Sequence, residues 1–487
     1  MKIRPTKDNV PEMPARRRFL ELTTFSALAA SAPRVLAGNG AASAWSFVET
    51  TREGARMRPG IASAALADAS TLSCDATERH QQIIGFGGAL TESSAYVLSR
   101  LSAAQRREVL RRYYDPHDGI GYTLARTHIG SCDFSLSTWS LDDTPGDYEL
   151  LNFSLAPMRK LLLPLLLDAQ RAVGSQGLRV VASPWSPPAW MKTNNRMDGG
   201  GSLREEYAAA WANYYIRFLA AMRDEGMPIW GLTVQNEPEA IQPWESCTYT
   251  PEQERDFVAK HLGPALKRSG NSSVKLFGWD HNRDAIEKRA DAMLGDANTA
   301  QFLSGLAVHW YVSDDYAASA RVLAKYPDKQ ILFTEGCVEG GAKPGDWNIA
   351  ERYARNIMGD LSNGVSGWID WNIALDMRGG PNHVGNFCDA PVLVDIAQSQ
   401  VIYQSSFYAI AHFSRYVKPG AHRIALRGDL PGVHSIAFIN VDGSIVVVAF
   451  NATDVPISFN LACEGHRCAT RITGHALQTY VLQRSTA

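Results

Sequence analysis

Neither sign of charge predominates in this 487-residue sequence, in which 48 Lys and Arg residues oppose 50 Asp and Glu residues. Proteins that bind nucleic acid through its phosphates need a basic excess, so the balance excludes nucleic acid as a partner. The sequence also has no run of about 20 apolar residues, which excludes a stable membrane anchor. With 45% hydrophobic and 20% charged residues, the chain has the composition of a globular protein rather than a disordered one.

Cysteine is scarce, and its spacing matches no known type of site. The seven cysteines are scattered without any Cys-x-x-Cys pair, so neither a zinc ribbon nor a thioredoxin-like site is indicated. We expect buried thiols, with a small loop closed by Cys463 and Cys468 as the alternative.

No His/Asp spacing resembles a metal site, and the segment 85–90 lacks the last glycine of a dinucleotide fingerprint. The sequence therefore predicts neither a metal nor a cofactor.

The first 37 residues have the pattern of an export signal. The arginine run 16–18 is followed by Phe19-Leu20 and by a weakly apolar stretch rich in Ala, Ser and Thr. This order is typical of a bacterial twin-arginine signal peptide, with cleavage after Ala32 or Ala37. We therefore predict an exported protein, periplasmic or secreted. The alternative is a charged tail followed by a chance Ala-rich helix.

Short apolar runs alternate with helical patterns between residues 81 and 398. Several runs are almost continuously apolar, as in parallel strands covered on both faces. The strand candidates are Ile83–Gly87, Gly121–Ile129, Leu178–Ser183, Ile229–Val234, Val274–Trp279, Leu306–His309, Ile331–Thr334 and Val365–Trp371. The helical candidates include Ser102–Tyr114, Arg204–Glu225, Pro251–Arg268 and Ile349–Leu361, with Ser102 and Thr250 as N-caps. Eight such alternations predict an α/β fold, a (β/α)8 TIM barrel over residues 81–398.

The parts of the chain outside the barrel also have strand signals. After residue 399 they are Val433–Asn440, Ser444–Asn451, Val455–Leu461 and Ala476–Leu482, separated by turns such as Asp442-Gly443. This pattern predicts an antiparallel β-sandwich over residues 399–487. We expect residues 45–80 to add N-terminal strands to the same sandwich.

Polar and aromatic side chains follow the barrel strand candidates. They are Thr91-Glu92, Arg126 and His128, Trp185, Asn236-Glu237, Asp280-His281, His309-Trp310-Tyr311, Glu335 and Asp370-Trp371-Asn372. In a TIM barrel these strand ends converge on the face that holds the active site. Facing carboxylates, here Glu237 after the fourth run and Glu335 after the seventh, can perform acid–base and nucleophilic steps on a glycosidic bond. Asn236 is placed to hydrogen-bond a sugar 2-hydroxyl.

Eight motifs occur in a fixed order along the barrel region. They are Ile84–Glu92, Gly130–Ser135, Ala182–Asn194, Asn236–Pro238, Ala307–Tyr311, Glu335–Cys337, Asp370–Asn372 and Gly379–Asn382. Together they resemble glycoside hydrolase family 30, within it the glucosylceramidase branch. The resemblance implies a TIM barrel that carries a β-sandwich formed from both chain ends.

The resemblance also implies roles for individual residues. Glu237 is expected to be the general acid/base and Glu335 the nucleophile. Arg126 is expected to hydrogen-bond the nucleophile and keep it ionised, and His309 to flank it. The residues expected to bind the substrate are Glu92, Trp185, Asn236, Tyr311, Trp371 and Asn382.

The sequence therefore predicts a retaining β-glycosidase that hydrolyses β-glucosidic bonds through a covalent glycosyl-enzyme, with a β-glucoside or glycan as substrate. A glucosylceramidase-like activity is the main hypothesis. An endo-β-1,6-glucanase or a β-xylosidase of the same family is an alternative. A non-catalytic carbohydrate-binding protein is an alternative of a different class, which the intact carboxylates and Asn236 disfavour.

Overall fold

The computed structural model describes residues 45–483, all of which fall in one compact unit. The predicted signal peptide, residues 1–37, lies outside the described residues. Within residues 45–483, no helix has the length and apolar character that crossing a membrane requires.

Strands make up the barrel and most of the segments outside it. Between residues 45 and 483 they are β1 (Trp45–Thr51), β2 (Arg58–Ile61), β3 (Thr71–Gln82), β4 (Gly85–Ala89), β5 (Leu124–Ile129), β6 (Arg179–Pro184), β7 (Gly231–Thr233), β8 (Lys275–Asn282), β9 (Gly305–His309), β10 (Gln330–Glu335), β11 (Gly367–Asn372), β12 (Ala374–Asp376), β13 (Val392–Asp395), β14 (Gln400–Tyr403), β15 (His422–Arg427), β16 (Val433–Ile439), β17 (Ile445–Asn451), β18 (Ile457–Cys463), β19 (His466–Ile472) and β20 (Ala476–Leu482). Strands β12 to β14 form a small sheet that follows the last barrel strand.

Strands β4 to β11 close into a barrel in the order β10-β11-β4-β5-β6-β7-β8-β9, with parallel neighbours throughout. They coincide with the eight predicted runs, which confirms the predicted TIM barrel. An apolar cluster inside the barrel is formed by Ile84, Leu124, Val181, Phe277, Ala307, Leu332 and Ile369. Because side chains fill such a barrel, a ligand site has to lie beyond the strand ends.

Helices alternate with the barrel strands. They are α1 (Glu92–Ser99), α2 (Ala103–Tyr114), α3 (Ala156–Arg159), α4 (Leu162–Val173), α5 (Ala208–Asp224), α6 (Pro251–Phe257), α7 (Gly263–Arg268), α8 (Ile286–Met293), α9 (Ala297–Ala300), α10 (Ala317–Lys325), α11 (Trp347–Ser362) and α12 (Ser405–Ser414). Ser102 and Thr250 cap α2 and α6 with reciprocal capping boxes, as predicted. The predicted helix Pro251–Arg268 is interrupted by a π-helical turn, Val258–Leu262. Pro264 accounts for the interruption because it has no N–H to donate to the preceding turn.

The two chain ends are interleaved in a nine-stranded sheet of order β19-β18-β3-β15-β16-β17-β20-β1-β2. Strand β1 pairs antiparallel with β20, and β3 lies between β18 and β15. The sheet has a buried core of its own, separate from that of the barrel. This arrangement confirms that both chain ends build the second part of the fold, although β15 and β19 were not predicted.

The seven cysteines are buried thiols, as expected. Cys463 and Cys468 do not face each other, because Cys463 lies opposite His466 and Cys468 opposite Leu461 in the β18–β19 hairpin. Instead, Cys463 lies beside Cys74 on the neighbouring strand β3. The alternative of a small loop closed by Cys463 and Cys468 was therefore wrong.

Candidate active site

A cavity of about 150 Å³ opens where the barrel strands end. Its wall includes predicted residues from six strand ends and residues that the sequence did not single out. The lining residues are Asp133, Trp185, Asn236, Glu237, Gln242, Trp244, His281, Asn282, Tyr311, Glu335, Cys337, Glu339, Trp371, Asn386 and Cys388. The predicted site is thus assembled at the expected face of the barrel.

The two predicted catalytic carboxylates face each other across this cavity. Glu335 is the last residue of β10, and Glu237 follows β7 with a positive φ of 46°. Such a φ is strained for a residue with a side chain, and strain of this kind is concentrated at functional sites. The Glu237 amide donates to the Asp280 carbonyl at 3.0 Å, which holds the strained turn. One oxygen of Glu237 and one of Glu335 lie within 4.8 Å of each other.

Glu335 receives a donor on each of its two oxygens. Arg126 Nη1 donates to Oε2, and the Tyr311 hydroxyl donates to Oε1 at 2.9 Å. The same hydroxyl lies 3.6 Å from the Cys337 sulfur. Charge-assisted bonds to both oxygens fix the orientation of the carboxylate and stabilise its ionised form.

Arg126, which comes from β5, is fully buried beneath the cavity. Its Nη2 donates to Asp280 Oδ2 at 2.7 Å and to Asn236 Oδ1 at 2.9 Å. The guanidinium also lies 4.7 Å from the centre of the Trp185 ring. With Glu335 at the end of β10 as its fourth contact, Arg126 connects the ends of four strands, β6, β7, β8 and β10.

His309, at the end of β9, lies between two carboxylates. Its Nδ1 is 3.2 Å from Glu237 Oε1 and its Nε2 is 3.1 Å from Asp280 Oδ1. Burial alone would lower the pKa of His309, but Glu335, Asp280 and Glu237 outweigh it and raise the pKa to about 9. Arg126 and His309 in turn hold the pKa of Asp280 well below its usual range despite burial. His309 is therefore a cation at neutral pH, and Asp280 is an anion.

The two facing carboxyls have different pKa shifts in the empty cavity. Burial raises the pKa of Glu335, against the opposing charges of His309 and Arg126. Burial would also raise the pKa of Glu237, but the bond from His309 and nearby positive charge hold it below its usual value. The bond from His309 therefore favours the carboxylate form of Glu237 in the empty cavity.

The predicted aromatic residues form one wall of the cavity. Trp185 and Trp371 stack with ring centroids 5.3 Å apart and an interplanar angle of 22°. Phe134 supports Trp371 edge-on at 6.0 Å. Aromatic side chains held in this way present an apolar surface beside polar groups, which suits a sugar with one apolar face.

Two polar residues of the cavity wall, Asp133 and Asn386, were not predicted. Asn386 Nδ2 donates to Asp133 Oδ2 at 2.9 Å. Burial, together with the charge of Glu335, raises the pKa of Asp133 to about 8. The motif Gly130–Ser135 contained a signal for Asp133, because a carboxylate within a strongly matching motif is a candidate ligand for sugar hydroxyls.

Glu92 and Asn382 lie outside the cavity wall. Glu92 Oε2 accepts hydrogen bonds from the Trp139 indole at 2.9 Å and the Leu136 amide at 3.2 Å. Asn382 Oδ1 accepts from the amides of Val384 and Asn386, which shapes the loop that presents Asn386. Their direct contact with sugar stays a prediction. The sequence showed that polar residues cluster here but not which of them reach the cavity.

Glu237, His309 and Glu335 also have donor atoms within 4.8 Å of one another, a spacing suited to a metal ion. The positive charges of Arg126 and His309 already balance these carboxylates. A metal would have to displace the proton of His309 and compete with Arg126. The absence of a metal from the reaction stays a prediction.

Two family descriptions match the chain: the glycosyl hydrolase family 30 TIM-barrel domain over residues 83–417 and the family 30 beta sandwich domain over residues 420–480. The chain belongs to glycosyl hydrolase family 30. It is therefore a glycoside hydrolase, as predicted. The barrel match continues past residue 398, where we predicted its end, and includes α12.

Curated relatives and solved structures agree with this family. The lysosomal acid glucosylceramidase of Mus musculus is 35% identical over 465 residues, which cover 90% of this chain and 89% of that protein. An endo-1,6-beta-D-glucanase of Neurospora crassa is 31% identical over 391 residues, 77% of this chain and 79% of that protein. The structure of SrfJ from Salmonella typhimurium matches with a TM-score of 0.86 at 33% identity, over 91% of this chain and 100% of that one. The endo-beta1,6-glucanase BT3312 matches with a TM-score of 0.82 at 30% identity, with the same coverage of 91% and 100%.

Proposed function

We propose that this family 30 enzyme hydrolyses β-glucosidic bonds with retention of configuration, with Glu335 as nucleophile and Glu237 as general acid/base. The observation that carries the proposal is the approach of their carboxylate oxygens to within 4.8 Å. Retaining glycosidases separate the two carboxyl groups by about 5–5.5 Å, whereas inverting ones need about 6.5–9.5 Å to admit a water. The spacing therefore supports direct attack by Glu335 on the anomeric carbon.

The contacts of each carboxylate support its role. Arg126 and Tyr311 hold the Glu335 oxygens and orient the carboxyl group for attack, and the charge of Arg126 favours its ionised form against the effect of burial. As the bond between anomeric carbon and leaving oxygen breaks, Glu237 gives its proton to that oxygen, and an ester forms between Glu335 and the sugar. Glu237, now a carboxylate, takes a proton from the water that cleaves the ester. The form of the enzyme in which Glu237 is protonated starts the cycle, and the proton taken from water restores that form at its end.

The proposed substrate is a β-glucoside of the glucosylceramide type. This choice rests on the mouse glucosylceramidase, which is similar over 90% of this chain. An endo-β-1,6-glucanase activity is the second candidate, because BT3312 matches over 91% of the chain with a TM-score of 0.82. Glucosylceramide, β-1,6-glucan, aryl β-glucoside and aryl β-xyloside should be assayed side by side. A kcat/KM for β-1,6-glucan above that for glucosylceramide would overturn the choice of substrate, and inactivity on all four would overturn the proposed activity.

We also propose that residues 1–37 export the protein through a twin-arginine route. The proposal is supported by the arginine run 16–18 and the apolar residues behind it. Simultaneous Arg16→Lys, Arg17→Lys and Arg18→Lys substitution should retain the protein in the cytoplasm of a bacterial host with this route. All three are changed because Arg18 can restore an arginine pair. The matched control is Arg4→Lys, which lies outside the run, and equal export of both variants would overturn the proposal.

A further inference from the structure

The end of strand β8 carries a bulge that turns two successive side chains inward, one into the barrel and the next into the cavity. Trp279 and Asp280 have φ values of 71° and 54°, and the pairing of β8 with β9 shifts register between Trp279 and His281. In a regular strand, Asp280 and His281 would point to opposite faces. Here Asp280 bonds to Arg126 inside the barrel, and His281 lines the cavity. Strained backbone that redirects a side chain at a site indicates a function for that side chain.

His281 has no role in the network around the two carboxylates. Its Nδ1 is buried without a hydrogen-bond partner in the described part of the chain. Its neighbour Asn282, by contrast, is engaged, since its Oδ1 accepts from the Tyr311 amide at 2.8 Å. Burial lowers the pKa of His281 although the charge of Glu237 opposes this, so the ring is neutral. A neutral imidazole carries one proton, and a proton on the buried Nδ1 would have no acceptor. We therefore place the proton on Nε2, which can donate it to a ligand.

The position of His281 identifies the part of the substrate that it faces. Strand β8 adjoins β7, whose end leads to Glu237, and lies apart from the strands that carry Trp185 and Trp371. The ring of His281 is 6.4 Å from that of His309, which contacts Glu237. Under the proposed function, Glu237 protonates the leaving oxygen, so the leaving group lies beside it. A side chain on this side, away from the tryptophan wall, meets the leaving group rather than the bound glucose.

We infer that His281 is a specificity residue whose Nε2–H donates to an oxygen of the leaving group. The inference rests on the proposed function and names the class of leaving group, an alcohol with a second hydroxyl close to the bond that is cleaved. Two kinds of leaving group have this chemistry: a second sugar, as in a β-1,6-linked glucan, and a hydroxylated lipid alcohol, as in glucosylceramide. A leaving group without oxygen atoms gains nothing from His281.

The test compares β-glucosyl fluoride, gentiobiose and glucosylceramide in the full-length enzyme and its His281→Phe variant. The variant keeps a ring of similar shape but has no donor. Its kcat/KM should fall about three- to tenfold on gentiobiose, on glucosylceramide or on both, which is the range for one neutral hydrogen bond. On glucosyl fluoride the fall should be less than twofold. A loss on gentiobiose alone identifies a sugar as the leaving group, and a loss on glucosylceramide alone identifies the lipid alcohol.

Two further variants distinguish the donor from the shape of the side chain. His281→Gln retains an N–H donor and should recover part of the loss, whereas His117→Phe, at an exposed histidine on the protein surface, controls for the change of residue type. An equal loss on all three substrates, or no loss on either hydroxylated substrate, would overturn the role of His281. Hydrolysis of glucosyl fluoride by the wild type tests the proposed function separately.

Discussion

Arg126 and Glu335 form a buried ion pair across the barrel, from the second strand to the seventh. The same guanidinium contacts Asp280 at 2.7 Å, so one cation serves two carboxylates. Buried charges are stable only when such partners compensate them. The position and ionisation of the proposed nucleophile therefore depend on a residue some 209 positions away in sequence.

Arg126→Lys should lower kcat by at least tenfold while the fold persists. Lysine keeps the charge but cannot reach Glu335, Asp280 and Asn236 together, because it lacks the planar fork of arginine. Steady-state kinetics and thermal unfolding check the expectation. Arg283→Lys is the matched control, since Arg283 is equally buried and pairs with Asp360 at 3.0 Å outside the cavity. It should affect stability alone, and an equal loss of kcat in both variants would contradict a specific role for Arg126.

Asp133→Ala should reduce kcat/KM more than Glu92→Gln does. Asp133 lines the cavity, and a hydrogen bond from a neutral group contributes about 0.5–1.5 kcal/mol, or about 2- to 13-fold in kcat/KM. Glu92 instead accepts bonds from protein groups, and glutamine keeps an acceptor for the Trp139 indole. The two variants should be compared on an aryl β-glucoside. The opposite ranking would mean that Glu92, rather than Asp133, makes the stronger contact with the sugar.

The raised pKa of His309 makes the protein less stable at alkaline pH. In the unfolded chain a histidine titrates near 6.5, whereas in the folded protein the pKa is about 9. The stabilisation is therefore fully present below pH about 6.5 and is lost as the pH rises through 9. Urea unfolding should show wild type losing on the order of 1–3 kcal/mol more than His309→Gln between these pH values.

His412 is the matched control for this pH dependence. It is buried, but burial lowers its pKa to about 3, and it bonds to Thr50 and Thr479 at 2.9 and 2.8 Å. Its charge does not change between pH 6.5 and 9, so His412→Gln should keep the wild-type slope. If His309→Gln also keeps that slope, His309 is not a cation at neutral pH.

Much of the fold was predictable because it is encoded in local patterns. Ser102 and Thr250 show capping signals within a few residues of sequence, and the apolar runs identify the strands. Strand β19 was missed because its hairpin turns at Glu464-Gly465, where φ is 48° and 81°. Such a turn is usually marked by Asn-Gly or Asp-Gly, and glutamate gives no such signal.

The site was predicted where side chains continue a strand and missed where a loop presents them. Glu335 ends β10, so its place followed from the apolar run before it. Asn386 reaches the cavity through a loop shaped by Asn382, and no sequence periodicity describes that loop. The bulge in β8 likewise depends on backbone angles at Trp279 and Asp280 that L-residues rarely adopt. The sequence therefore does not distinguish the residues that reach the cavity from those that hold them in place.

Glu237→Ala should affect the two chemical steps that depend on this residue to different extents. Aryl β-glucosides with good leaving groups need little protonation, so formation of the glycosyl-enzyme should persist while its hydrolysis slows. Added azide needs no general base and fits the space left by the side chain, so it should restore turnover and give β-glucosyl azide. Glu335→Gln should not respond to azide in this way. An α-glucosyl azide from Glu237→Ala would mean that the two roles are reversed or the mechanism differs.

The stereochemistry of the first product tests the central claim most directly. Hydrolysis of an aryl β-glucoside should be followed by proton NMR within the first minutes, before the released sugar mutarotates. Because the oxygens of Glu237 and Glu335 approach within 4.8 Å, Glu335 has to attack directly, and a second inversion by water restores the original configuration. We predict that β-glucose appears first and the α-anomer only later. Initial release of α-glucose would contradict the proposed mechanism.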